Sequence, residues 1–81
     1  MMAYINTLII SSINETLEYF KDHDWSQADQ EDFVEIRRAV ELDDQEQARI
    51  LYDRLDTEPA EAFLDFVPDE DVDAVLDWFD A

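Results

Sequence analysis

The apolar positions of the first twenty residues fall on one side of a helix. Ile5, Ile9, Ile13, Leu17 and Phe20 are separated by four, four, four and three residues, the spacing that stacks side chains along one helical face. Leu8, Ile10 and Tyr19 widen this stripe beyond what one face of a surface helix needs, and no charged side chain precedes Glu15. The pattern predicts a first helix that is either central to the fold or shared with another copy of the chain, and its width makes a homodimer through this helix the expectation.

The segment Lys21-Asp22-His23-Asp24-Trp25 breaks the period. Ser26 followed by Asp29 has the form of an N-cap serine with an acid in the first turn of a second helix. Phe33, Ile36 and Val40, with Ala39 beside them, carry its stripe. Asp43 with Glu46 reads as a capping pair opening a third helix, whose apolar face is Ala48, Leu51, Tyr52 and Leu55. Arg49 is placed to meet Asp53 and Arg54 to meet Glu58, local pairs worth about 0.3 to 0.5 kcal/mol each.

Thr57, two residues before Pro59, reads as a cap and first turn, because proline is tolerated where the amide would be unbonded anyway. A short fourth helix carries Ala62, Phe63 and Leu64 toward Val67. Pro68 ends it, and Asp69 caps a last segment with Val72, Val75, Leu76 and Phe79 inward. The expected fold is all-α, a compact bundle of four or five short helices in a single acidic domain spanning residues 1–81. Its expected core is Ile9, Ile13, Leu17, Phe33, Ile36, Val40, Leu51, Leu55, Phe63, Val72, Val75, Leu76 and Phe79.

The stretch Leu55-Asp-Thr-Glu-Pro-Ala-Glu-Ala-Phe-Leu-Asp-Phe-Val-Pro-Asp-Glu-Asp-Val-Asp-Ala-Val-Leu resembles the short proline-capped helical repeats in the cytoplasmic N domain of bacterial magnesium transporters. The resemblance covers about a quarter of the chain. It implies helix boundaries at the two prolines.

Composition narrows the classes. The chain has no glycine and only two prolines, whereas hairpins and β-sandwiches need glycine at turns with positive φ. There is no cysteine, so disulfides and thiolate metal sites are excluded. Apolar types make up 47% of the 81 residues, too many for a disordered acidic tail. No stretch approaches the roughly 20 apolar residues of a membrane span, and the start of the chain lacks the basic region of a signal peptide, so a cytoplasmic location is expected.

Charge changes the picture most. The chain carries 23 acids against five lysines and arginines, a formal net charge of −18. All five bases lie between Lys21 and Arg54. From Leu55 to Ala81 there are ten acids, Asp56, Glu58, Glu61, Asp65, Asp69, Glu70, Asp71, Asp73, Asp77 and Asp80, and no base. Such a surface repels anionic lipid and nucleic acid, which leaves basic proteins as partners.

The motifs that carry chemistry each have a plainer reading. Asp69, Asp71, Asp73, Asp77 and Asp80 fall at positions 1, 3, 5, 9 and 12 of a calcium-loop register, but Ala74 stands where the loop demands glycine. The same residues fit an amphipathic helix, so no metal is expected. His23 lacks a second histidine or a cysteine to complete a metal or catalytic constellation. Carboxylate pairs are uninformative in a chain this acidic, and no nucleophile motif or phosphate cradle occurs, so neither catalysis nor a cofactor is expected. Trp25, Trp78, Tyr4, Tyr19 and Tyr52 are the aromatic candidates for partner anchors. Trp78 lies beside the inward stripe of the last helix, which makes it the better interface candidate of the two tryptophans.

These observations lead to one functional expectation: an acidic inhibitor that mimics DNA and blocks the basic groove of a nucleic-acid-binding protein, using the ten C-terminal acids and Trp78. Size and charge resemble the small acidic inhibitors that phages and mobile elements deploy against restriction enzymes and CRISPR effector complexes. The alternatives are an immunity or antitoxin-like protein neutralising a basic nuclease, and an acidic adaptor that docks without mimicry. A solvating coat adapted to high salt is the plainest reading, favoured by 14 aspartates against nine glutamates and opposed by six isoleucines and many aromatics.

Overall fold

A computed structural model describes residues 4–21 and 27–80. Among these residues five α-helices follow one another: α1 (Tyr4–Phe20), α2 (Gln27–Glu41), α3 (Gln45–Asp53), α4 (Thr57–Asp65) and α5 (Val72–Asp80), with a 3₁₀ turn, Asp69–Asp71, leading into α5. No strand occurs among the described residues, and the all-α bundle is the observed fold.

α1 is the central element and packs on α2, α4 and α5. α2 and α3 form a hairpin, and α5 lies against α3. Ile9 and Ile13 from α1 meet Phe33, Ile36 and Val40 from α2, Ala48 and Leu51 from α3, Phe63 from α4, and Val75 and Phe79 from α5, all buried. Leu17, Leu55, Val72 and Leu76, expected in the core, are half-buried at its edge. Leu8 and Ile10 also pack against the core, whereas Tyr19, the third residue that widens the stripe of α1, is exposed.

The absence of charge in α1 before Glu15 follows from this central position. Its buried polar residues are all bonded, as burial in a low-dielectric interior requires. Ser12 Oγ donates to the Phe63 carbonyl of α4 at 2.6 Å, and Thr16 Oγ1 donates to the Ser12 carbonyl at 2.8 Å. Asn6 Nδ2 donates to the Val40 carbonyl and to Asp43 Oδ1, both at 3.2 Å, and so ties α1 to the end of α2.

The helix boundaries differ from the sequence reading by one residue at three places. The cap of α3 is Asp44, whose carboxylate accepts from the Gln47 amide at 3.2 Å, and not Asp43. Asp43 instead terminates α2 in the left-handed region, φ 58°. The Asp44 amide donates to the Ala39 carbonyl at 2.8 Å and the Asp43 amide to the Val40 carbonyl at 3.0 Å, the paired bonds of a Schellman ending. In a chain without glycine, aspartate takes this position because its short polar side chain tolerates positive φ. The cap of α4 is Asp56 and not Thr57; its backbone is extended (φ −66°, ψ 158°) and its carbonyl accepts from the Ala60 amide at 3.2 Å. Pro59 then falls in the first turn, where its missing N–H is harmless. Pro68, and not Asp69, precedes the final helical segment, and the Asp71 amide donates to its carbonyl at 2.8 Å.

Two other expectations are corrected. Arg54 meets Asp32 of α2 at 3.8 Å, a tertiary pair, in place of the local pair with Glu58. Trp78 is only 8% exposed and belongs to the core, because α3 covers the flank of α5 that a single inward stripe would have left open. The suggested Ser26 cap, His23 and Trp25 lie outside the described residues.

Candidate partner-binding surface

The C-terminal acids are held on two short helices and the turn between them. Phe63 fixes the inner face of α4: it is buried and its ring lies 6.1 Å from those of Phe33 and Phe79. Phe79 stacks on Tyr52 of α3 at 4.4 Å, and Tyr52 completes the cluster with Phe63 at 5.9 Å. Burial, with Asp53 beside it, pushes the Tyr52 phenol above its usual pKa. These rings bind α4 and α5 from one side only.

Helical spacing then dictates the outer side. Glu58, Glu61 and Asp65 sit three and four residues apart on α4, and Asp73, Asp77 and Asp80 four and three apart on α5, so each helix presents a rail of three carboxylates opposite its aromatic face. All six are exposed. Asp69 and Glu70 in the 3₁₀ turn are exposed as well, and Asp71 is half-buried. The Tyr4 hydroxyl donates to Asp71 Oδ2 at 3.3 Å, and the charge of Asp71, ahead of burial and this bond, raises the phenol's pKa.

None of these carboxylates is paired with a base among the described residues. The ion pairs there are Lys21–Glu18 at 3.9 Å and Arg54–Asp32 at 3.8 Å. Arg37 donates to Asn14 Oδ1 at 2.7 Å. Asp65, Asp77 and Asp80 moreover stand in the last turns of α4 and α5, where the helix dipole opposes negative charge, and neither last turn contains a base.

Two features escaped the sequence reading. The first is a groove of about 320 Å³ between the end of α1 and α4, with Tyr19, Phe20 and Phe66 on one part of its lining and Glu58, Glu61 and Asp65 on another. The second is Asp29, which is 5% exposed on α2 and accepts from the Asp56 amide at 3.4 Å, bracing the start of α4. Burial first, then a hydrogen bond to the Asp56 carboxylate and the charges of Asp56 and Asp32, push the Asp29 carboxyl above the usual range; the Asp56 amide opposes this. Asp29 looks from sequence like any first-turn acid, and only the return of Asp56 onto α2 distinguishes it.

The structure therefore gathers Glu58, Glu61 and Asp65 at one groove, aligns Asp73, Asp77 and Asp80 along α5, and leaves Asp56, Asp69, Glu70 and Asp71 at the joints between. Trp78 is buried and takes no part in this surface. The calcium-loop register falls on 3₁₀ and α-helical backbone, and no group of three or more metal-ligating side chains converges among the described residues. No helix among them is long and apolar enough to cross a membrane. The chain matches no family model, no curated protein and no solved structure.

Proposed function

We propose that this protein is an acidic inhibitor that imitates nucleic acid, its carboxylates occupying the basic groove of a nucleic-acid-binding protein and excluding DNA from it. The observation that carries this reading is the C-terminal surface: ten carboxylates, Asp56 at the start of α4 and nine on α4, α5 and the turn between them, of which nine in all are exposed and none is paired with a base among the described residues.

The charge density is of the right size. The folded chain measures 34 Å along its longest axis, and a duplex of that length carries about 20 phosphates at one charge per 1.7 Å. The protein concentrates a net charge of −18 in the same length. Rigid helices supply the rest, because carboxylates three and four residues apart are held about 5 to 6 Å from one another at the Cβ atoms. Acids placed against the dipoles of α4 and α5 cost stability, which favours a use for the charge outside the fold. The class that fits is the counter-defence inhibitor of phages and mobile elements, with restriction enzymes and CRISPR effector complexes as the kinds of target.

Affinity capture from a lysate at two salt concentrations supplies the partner, which is then held with labelled duplex DNA while this protein is titrated in. Displacement of the duplex, weakening as salt rises, is the expected result, because exposed charges are screened over about 8 Å at physiological ionic strength. A stable ternary complex of partner, DNA and this protein overturns groove mimicry and favours an adaptor.

A further inference from the structure

A second groove, of about 280 Å³, lies between the C-terminal half of α1 and the first half of α2, lined by Leu17, Gln27, Gln30, Glu31, Val34 and Glu35. Leu17 is half-buried in it. Val34 is 41% exposed, the one large apolar side chain that α2 turns to solvent among the described residues. The fold does not need it there: Phe33, Ile36 and Val40 already supply the buried stripe of α2, and a β-branched residue is a poor helix former at an exposed position.

The charge around Val34 is likewise unused by the fold. Glu31 and Glu35 are both exposed and stand four residues apart, a spacing at which like charges repel. Neither meets a base within 4 Å among the described residues. The bases of α2 are near but turned elsewhere: Arg37 donates to Asn14 Oδ1 of α1 at 2.7 Å, and Arg38, exposed and three residues from Glu35, forms no ion pair among the described residues. Asn14 and Arg37 stand one turn beyond Leu17 and Val34 on their helices, so their bond closes one end of the groove and makes that end positive. The groove thus runs from Arg37 and Arg38 toward Glu31, with Glu35 beside Val34.

We infer that this groove is a docking site for a basic amphipathic helix of a partner protein, an aliphatic side chain of which seats on Leu17 and Val34 while its lysines or arginines reach Glu31 and Glu35. The apolar lining calls for an aliphatic face and the uncompensated glutamates call for cations, and a helix presents both at spacings of three and four residues. Arg37 and Arg38 repel the basic flank from the closed end, so charge fixes the direction in which the helix lies. The amides of Gln27 and Gln30 both donate and accept, and suit the polar rim of such a contact. The site shares no residue with the C-terminal carboxylates and does not depend on nucleic-acid mimicry.

The test uses the whole chain and two synthetic peptides of equal lysine and leucine content, one with its leucines along a single helical face and one scrambled so that no apolar face forms. By calorimetry the amphipathic peptide should bind about tenfold more tightly, the gain from burying most of one aliphatic side chain. Its amide shifts should concentrate at Leu17, Gln30 and Val34. Val34→Thr keeps size and charge and should reduce the preference to about twofold. Glu31→Gln with Glu35→Gln should weaken the amphipathic peptide about fivefold, whereas Asp73→Asn with Asp77→Asn, an equal loss of charge on α5, should change it less than about twofold. Thermal melting verifies that each variant is folded. Equal affinity for the two peptides, a loss in the α5 variant as large as in the α2 variant, or a folded Val34→Thr chain that keeps the preference would each overturn the site. A dimer, seen by light scattering and dissolved by Val34→Thr, would assign the groove to a second copy of the chain and overturn it too. None of these results bears on displacement of duplex DNA, and a failure of displacement leaves the docking site standing.

Discussion

α3 and α5 are helices of equal length, nine residues each, packed against one another, yet they are secured by different means. α3 is tied at both ends by specific polar contacts: Asp44 caps its start and Arg54, just past its end, reaches Asp32 of α2. α5 has no base in its last turn and carries Asp73, Asp77 and Asp80 outward. What secures it is the burial of Val75, Trp78 and Phe79, with Gln45 Nε2 of α3 donating to the Trp78 carbonyl at 3.3 Å. α4 repeats this division, with Phe63 inward and Glu58, Glu61 and Asp65 outward. The chain up to Arg54 therefore combines packing with charge compensation, while from Asp56 onward packing is joined by hydrogen bonds from Ser12 to the Phe63 carbonyl, from Gln45 to the Trp78 carbonyl and from the Asp56 amide to Asp29, and the exposed carboxylates have no base beside them among the described residues.

The sharpest way to break this comparison is to remove the packing. Phe63 contacts rings from α2, α3 and α5, and Phe63→Ala should cost about 3 to 5 kcal/mol. That is a large part of the stability of a domain this small. Urea denaturation followed by far-ultraviolet circular dichroism should show one cooperative transition at a much lower midpoint. Two separated transitions would mean that α4 and α5 melt as an independent unit and are not integral to the core.

A smaller effect is expected at the junction of α2 and α3, where a polar contact does the securing. Asp43→Ala places a Cβ-bearing residue without a compensating polar group at φ 58° and removes the acceptor for Asn6. The cost should be about 1 to 2 kcal/mol, read as a lowered urea midpoint. Asp43→Gly, which relieves the backbone but also loses the acceptor, should lie between this variant and the parent chain.

Charge removal sharpens the comparison from the other side. Asp65→Asn, Asp73→Asn, Asp77→Asn and Asp80→Asn together should raise the melting temperature at low salt, because the changes at Asp65, Asp77 and Asp80 each relieve an opposed dipole worth about 0.3 to 1 kcal/mol, a gain that loss of Asp73 from the first turn of α5 offsets only in part. The same four changes should abolish displacement of duplex DNA from the partner. A variant that gains stability and keeps full inhibition would show that the rails are a solvating coat.

The helices were legible in the sequence because period alone reveals an inward face: Ile9, Ile13, Phe33, Ile36, Val40, Val75 and Phe79 are buried as their spacing predicts. The misread caps have a common cause. The doublet Asp43-Asp44 offers two equivalent carboxylates, and the choice between them depends on which residue adopts positive φ to close α2. Trp78 was misplaced because a helix wheel shows where one stripe lies but not how many neighbours cover it. The exposed rails follow from spacing, whereas the groove does not. It exists because Ser12 and the Phe63 carbonyl draw α1 close to α4, a contact between residues 51 apart in the chain.

The subtlest test concerns the one acid that the C-terminal part borrows from α2. Asp29 is buried, accepts from the Asp56 amide, and has its carboxyl pushed above the usual range by burial and then by Asp56. Between the ordinary carboxylate value of 3.8 and this raised value, the folded chain holds a proton that the unfolded chain has released. Stability from this site is therefore fully present below the ordinary value and is lost as pH rises through the raised one. Asn at this position retains a carbonyl to accept from the Asp56 amide and an amide to donate to the Asp56 carboxylate, and it does not titrate. Asp29→Asn should accordingly match the parent chain in acid and exceed it modestly at neutral pH, with the difference opening across that window. Relief of overall repulsion on acidification affects both chains alike, so the difference between their urea midpoints isolates the site. A constant difference from pH 4 to pH 7 would mean that Asp29 ionises as an ordinary carboxyl, and that the brace on α4 is a charged one like those of α3.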